Sequence, residues 1–118
     1  MNIEELREYC ISKPAVTEEL PFGPDTLVFK VAAKVFLLVG LGQSDSLSFN
    51  VKCDPEYAIT LRQEYVHTVF PGYHMNKKHW NTLHANRELT DQKLIELIDH
   101  SYNLVIASLP KKIRENLF

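Results

Sequence analysis

Several features that would commit a chain to a special environment are scarce in this sequence. Cys10 and Cys53 are the only cysteines in 118 residues, and no C-x-x-C pair occurs. A disulfide framework or a cysteine-built zinc module is thereby excluded, and two reduced thiols are expected. Long apolar runs are missing as well. The longest, Val35 to Leu41, falls far short of the roughly 20 residues that cross a bilayer. Glu4 and Glu5 stand where a signal peptide would carry bases. Together these absences point to the cytoplasm and away from a membrane. Neither charge dominates: 13 basic and 15 acidic residues leave a net charge of −2. That balance exerts no global pull on nucleic acid or anionic lipid, so a polyanion would need a local patch. Internal repeats, linkers and low-complexity tracts are also lacking. One domain over residues 1–118 is expected, as a monomer. A chain of this size buries roughly two thirds of the surface exposed when unfolded.

What is present reads as a mixture of helices and short strands. Asn2 caps a first helix with Glu5 at the capping-box spacing, Ile3, Leu6 and Cys10 form its apolar stripe, and Pro14 stops it. The stretch from Pro14 to Pro24 holds three prolines and a glycine and is expected to be an irregular connection. Three strands come next: Leu27–Val31, Val35–Val39 and Ser46–Lys52. The first two flank a hairpin-length gap, Ala32–Lys34, that lacks glycine. The third alternates, with Leu47, Phe49 and Val51 facing one way. Short gaps favour an antiparallel meander, since parallel strands need long crossovers. Gly40 to Asp45 offers the turn chemistry between the second and third.

Asp54-Pro55 opens a second helix with Tyr57, Leu61 and Tyr65 on its buried stripe. Val66–Phe70 reads as a short extended segment, Trp80–Ala85 as a final strand and Asn86–Leu89 as the turn out of it. Thr90 caps the longest helix, whose stripe is Leu94, Ile98, Tyr102, Val105 and Leu109. Pro110 ends it, and Lys111, Lys112 and Arg114 form a basic tail. The order predicts an α+β fold, a small twisted antiparallel sheet with helices packed on one face.

Catalytic motifs are absent: no G-x-S-x-G elbow, phosphate-binding glycine loop, G-x-G-x-x-G or H-E-x-x-H occurs. Asp99, His100 and Ser101 are adjacent on one helix and point in different directions, so they form no triad. His74, His79 and His84 recur every five residues, a spacing that suits ligand pairs on neither helix nor strand. No enzyme activity, metal or cofactor is expected.

Pro71 to Trp80 differs in kind. Gly72 permits a close backbone approach, and Asn76 can cap a short helix begun by Lys77, Lys78 and His79. Cations at that end are mildly unfavourable on their own; an anion held between them and the free N–H groups would relieve the conflict. Tyr73, His74 and Trp80 supply rings that can stack on a base or pack into the core.

Pro21-Phe-Gly-Pro-Asp25, Phe29-Lys-Val31, Lys52-Cys53, Gly72-Tyr-His-Met-Asn-Lys-Lys-His-Trp-Asn81, Ser101-Tyr102 and Leu109-Pro-Lys-Lys112 resemble the MmcQ/YjbR-like family of small bacterial proteins, over essentially the whole chain. The resemblance implies a frataxin-like (CyaY-like) fold and a suggested DNA-binding role through a double-wing arrangement. It makes Tyr73, His74, Asn76, Lys77, Lys78, His79 and Trp80 the signature surface. The iron binding of frataxin itself does not transfer with the fold.

Two functions are therefore expected as alternatives. The first is DNA binding through Lys77, Lys78 and the neighbouring rings, assisted by Lys111, Lys112 and Arg114. The second is a small phosphate-bearing ligand held at the helix start of Asn76–Lys78.

Overall fold

The computed structural model describes residues 1–42 and 46–118. Helix α1 covers Ile3–Ser12 and starts as its capping box dictates: Glu5 N–H donates to Asn2 Oδ1 at 2.9 Å, and Asn2 N–H donates to Glu5 Oε1 at 3.1 Å. The order continues through β1 (Val16–Glu19), β2 (Thr26–Val31), β3 (Lys34–Gly40), β4 (Ser48–Lys52), α2 (Pro55–Glu64), β5 (Val69–Pro71), β6 (Trp80–His84), α3 (Asp91–Ser108) and α4 (Lys111–Leu117). All six strands join one antiparallel sheet in the order β1-β2-β3-β4-β6-β5. No described helix is long and apolar enough to span a membrane.

Two details of the β2–β3 hairpin set how the sheet presents its side chains. Its loop is only Ala32-Ala33, both left-handed with φ of 50° and 64°, the backbone that two-residue hairpin loops demand and that asparagine and glycine adopt more readily. A β-bulge also shifts the register, so that Phe29 faces Leu37 while Lys30 faces Val35. The extra residue, Phe36, is buried beside Leu37 and meets Tyr102 of α3 edge-on at 5.4 Å between ring centroids.

The helices cover one face of the sheet. α3 lies across β2, β3 and β4, with α1 against β1 and α2 beside β5. Phe29, Phe36, Leu37, Phe49, Leu83, Leu94 and Ile98 are wholly buried in that layer. Ser101 satisfies the polar atoms at its centre, donating to Phe36 O at 2.6 Å and accepting from Lys52 N–H at 2.8 Å. The opposite face carries Val28 and Lys30 of β2, Val35 and Leu38 of β3, Asn50 and Lys52 of β4, and Trp80, Thr82 and His84 of β6, as the registers require.

Three expectations are corrected. The Pro14–Pro24 connection contains strand β1, which is four residues long and pairs only with β2; its half-buried alternation is too short to register as a period. The Lys111–Arg114 tail is the first part of helix α4, because Pro110 both closes α3 and stands as N-cap of the next helix. The extended segment near Val66–Phe70 is strand β5, displaced to Val69–Pro71. The turn expected at Gly40–Asp45 lies partly outside the described residues.

Candidate functional site

The Pro71–Trp80 run folds back over the open face of the sheet. Gly72 N–H donates to Trp80 O at 2.9 Å, closing the loop at its base. Glycine is required there by contact: a Cβ at Gly72 would lie 2.8 Å from Trp80 Cβ and 3.0 Å from Trp80 O. Asn76 accepts from Lys78 N–H at its side chain (2.9 Å) and from His79 and Trp80 N–H at its carbonyl (3.2 and 3.0 Å). Residues 77–79 therefore make one closed turn, and β6 begins at once. This corrects the expected helix start. The N–H groups of Lys78, His79 and Trp80 are already engaged, so the turn presents no array of free donors to an anion.

A second clamp comes from α2. The Arg62 guanidinium donates through Nε to Asn81 Oδ1 at 2.7 Å and through Nη2 to the carbonyls of Lys77 and Trp80, the latter at 3.3 Å. Asn81 is wholly buried. One cation thus fastens both ends of the 77–80 turn to the core layer. On the open side, Tyr73 N–H donates to Thr82 Oγ1 at 3.1 Å, and Thr82 Oγ1 lies 2.5 Å from Asn50 Oδ1.

Between this loop and the β1–β2 connection lies a cleft of about 620 Å³. Phe22 stands on the β1–β2 side; Tyr73, His74 and Met75 stand on the other, and Leu38, Asn50 and Trp80 line it between them. Phe22 and Tyr73 are 72% and 71% exposed. Two of the segments that carry the family resemblance, Pro21–Asp25 and Gly72–Asn81, thus wall one cavity from opposite sides. His74 holds a left-handed backbone (φ 58°), and its ring lies 4.0 Å from that of Tyr73.

The candidate residues divide accordingly. Tyr73, His74 and Trp80 line the cleft. Asn76 organises the turn, and His79 is half-buried with its carbonyl accepting from Cys53 N–H at 2.8 Å. Lys77 is exposed, its Nζ 3.5 Å from Gly72 O, and Lys78 is exposed beside it. Lys111, Lys112 and Arg114 sit apart on α4. Lys111 pairs with Glu115 at 3.8 Å, the Arg114 Nε is buried without a partner, and no described hydrogen bond or ion pair joins this helix to the turn. The basic residues are not drawn together by contact.

Phe22, Asn50, Arg62 and Thr82 belong to the site although their chemistry gives no signal in sequence. Phe22 falls within a resemblance segment, and Asn50 is one polar position in an alternating strand. Arg62 has no marker at all.

Other reactive groups are committed elsewhere. Burial pushes the Cys10 thiol up to about 12 and Cys53 up to about 11, so neither is a thiolate near neutrality. Asp99 accepts from Tyr9 at 2.5 Å and Lys13 at 2.6 Å, while His100 Nε2 accepts from Asp54 N–H at 3.1 Å. Among the described residues no group of three His, Cys, Asp or Glu is placed to hold a metal ion.

The chain as a whole has counterparts among known proteins. The family described as YjbR matches residues 11–104. The uncharacterized protein YbdF of Escherichia coli O157:H7 is 36% identical over 92% of this chain and 88% of its own. The uncharacterized protein YjbR of Escherichia coli K12 is 32% identical over 99% and 98%. The crystal structure of the Deinococcus radiodurans protein DR2400 superimposes with a TM-score of 0.92 at 36% identity, covering 98% of this chain and 87% of that one. A Pseudomonas syringae protein superimposes at 0.75 with 27% identity, over 88% of this chain and 98% of its own. With family match, relatives and architecture in agreement, the chain belongs to the YjbR family.

Proposed function

We propose that this is a non-enzymatic binding protein whose site is the open-face cleft, and whose ligand joins one planar ring to an anionic, phosphate-type group. One observation carries the reading: two aromatic side chains more than 70% exposed face a cavity of about 620 Å³ lined further by the single tryptophan. That volume falls within the roughly 300–1,000 Å³ of small-molecule sites. Ring stacking on such walls is worth about 1–3 kcal/mol per ring. The anionic group has cations to meet. Lys52 is the cross-strand partner of Trp80 on the open face, its ammonium has no partner among the described residues, and Lys77 and Lys78 are exposed nearby in sequence.

DNA binding is the second reading, and the same cleft restricts its form. A duplex keeps its ring faces stacked and cannot fill the cavity, whereas a single strand could insert one unstacked base. The balanced net charge of −2 and the separate position of α4 favour the small ligand over a long polyanion.

Trp80 gives a direct test, because it is the only tryptophan and lines the cleft. Mononucleotides are expected to change its emission saturably, with inorganic phosphate alone doing little. Single-stranded oligonucleotides that bind tighter than mononucleotides, with a steep loss on adding salt, would move the reading to nucleic acid. Absence of any response to mononucleotides at millimolar concentration would overturn it.

A further inference from the structure

We infer that Asn50 reads the edge of the bound ring, so that the cleft selects planar heterocycles carrying a hydrogen-bond acceptor, a ring carbonyl or pyridine-type nitrogen, over carbocycles of the same shape. This rests on the cleft being the binding site, and it names which ring the cleft takes.

The protons around Asn50 can be assigned one by one. The Tyr73 backbone N–H can only donate, and it donates to Thr82 Oγ1 at 3.1 Å. The Thr82 hydroxyl carries one proton, which goes to its remaining neighbour, Asn50 Oδ1, at 2.5 Å. That contact orients the amide: its oxygen is turned to Thr82 and its NH₂ group is left over. No described residue accepts from Asn50 Nδ2, yet the side chain is half-exposed and lines the cleft. The acceptors that share the cleft, on Thr26, Tyr73 and His74, take no hydrogen bond from it. Leu38 is its cross-strand partner on one side, and Thr82 on the other is already engaged; Val35, Met75 and Trp80 present carbon or, for the indole, a donor.

Half-exposed in an open cleft, this amide is accessible to solvent. A ring that closes over it displaces that solvent and must replace its hydrogen bonds, since an unpaired buried donor is costly whereas a paired one is not. A carbonyl or ring nitrogen does so; a benzene edge does not. The position also couples recognition to the loop. Tyr73 N–H occupies the Thr82 oxygen as a donor and so favours the hydroxyl proton going to Asn50, and Tyr73 is itself one wall of the cavity. The loop that stacks on the ring is thus the loop that aims the donor at its edge.

The test compares uridine monophosphate with its phenyl analogue, in which a benzene ring replaces the base on the same ribose phosphate. Trp80 emission is the readout for the full chain. The wild type is expected to favour uridine monophosphate by about tenfold. In Asn50→Leu the ratio should fall to about one. Asn50→Asp still accepts from Thr82 but offers no donor, and should favour the phenyl compound; it keeps the test open if the leucine variant does not fold. Equal binding of both compounds by the wild type, or a preference that survives in both variants, would overturn the role of Asn50 and leave the cleft reading standing. Failure of the wild type to bind either compound would overturn the cleft reading, and this inference with it.

Discussion

The two faces of the sheet are made from the same six strands and treated in opposite ways. On the helix side, large side chains such as Phe29, Phe49 and Leu83 are wholly buried, and the polar atoms among them are paired, Ser101 both donating and accepting. On the open side, Phe22 and Tyr73 project into solvent and the Asn50 amide keeps two unspent protons. A face finished by packing gains little from a partner. A face left with exposed rings and a spare donor has recognition still to offer, and the Arg62 clamp shows how the first face holds the second in shape.

Substitutions should separate the two faces by size of effect. Phe49→Ala on the covered face should cost about 3–5 kcal/mol, measured by urea unfolding, because a buried aromatic leaves a cavity. Arg62→Ala should cost about 3 kcal/mol, since it removes charged hydrogen bonds and strands a buried Asn81. It should also alter Trp80 emission in the folded state, as the clamp on the Trp80 carbonyl is lost. Arg62→Lys should recover only part of this, lacking the planar fork. In the hairpin between the faces, Ala33→Gly should raise stability by about 1 kcal/mol, because glycine tolerates the left-handed backbone that alanine is forced into.

A smaller, pH-dependent effect belongs to His100 at the margin of the covered face. Burial lowers its pKa below 6.5, opposed by the charge of Asp54. The unfolded chain therefore takes up the proton first as pH falls. The stabilising contribution is complete above pH 6.5 and is lost as pH drops through the lowered folded value. His100→Gln should lessen the fall of urea midpoints over that window, leaving the part that His84, lowered by burial in the same direction, contributes. The smallest effect on stability should come from Phe22→Ala on the open face, within about 0.5 kcal/mol. The same substitution should weaken mononucleotide binding about tenfold, in line with loss of one stacking wall. A Phe22 variant that loses stability but not binding would break the contrast between the faces.

Most of the framework is legible in sequence because it is written in local chemistry. The Asn2, Asp54 and Thr90 caps open α1, α2 and α3, and the alternation of Leu47, Phe49 and Val51 faces β4 correctly. Most of what escapes depends on partners distant in the chain. β1 exists because β2 offers it an edge; α4 escapes for a local reason, since Pro110 reads as the stop of α3 and yet stands as N-cap of the next helix. At the site, Tyr73, His74 and Trp80 are readable as an unusual cluster. That they meet Phe22 across a cavity is a result of strand order, which no short motif encodes. Arg62 is unreadable for the same reason, since its three acceptors lie 15 to 19 positions away.

The bulge at Phe36 has a consequence of parity. Along a regular strand, positions three apart look to opposite sides, so Val35 and Leu38 would be divided between core and solvent. The inserted residue changes an odd separation into an even one, and both side chains arrive on the open face to line the cleft. Were the strand regular with Phe36 kept in it, Val35 would turn into the helix layer, whereas deleting Phe36 would leave Val35 and Leu38 together on the open face and remove the ring that meets Tyr102. The shape of the cavity thus depends on an error of one in the alternation, fixed by Phe36 against Tyr102.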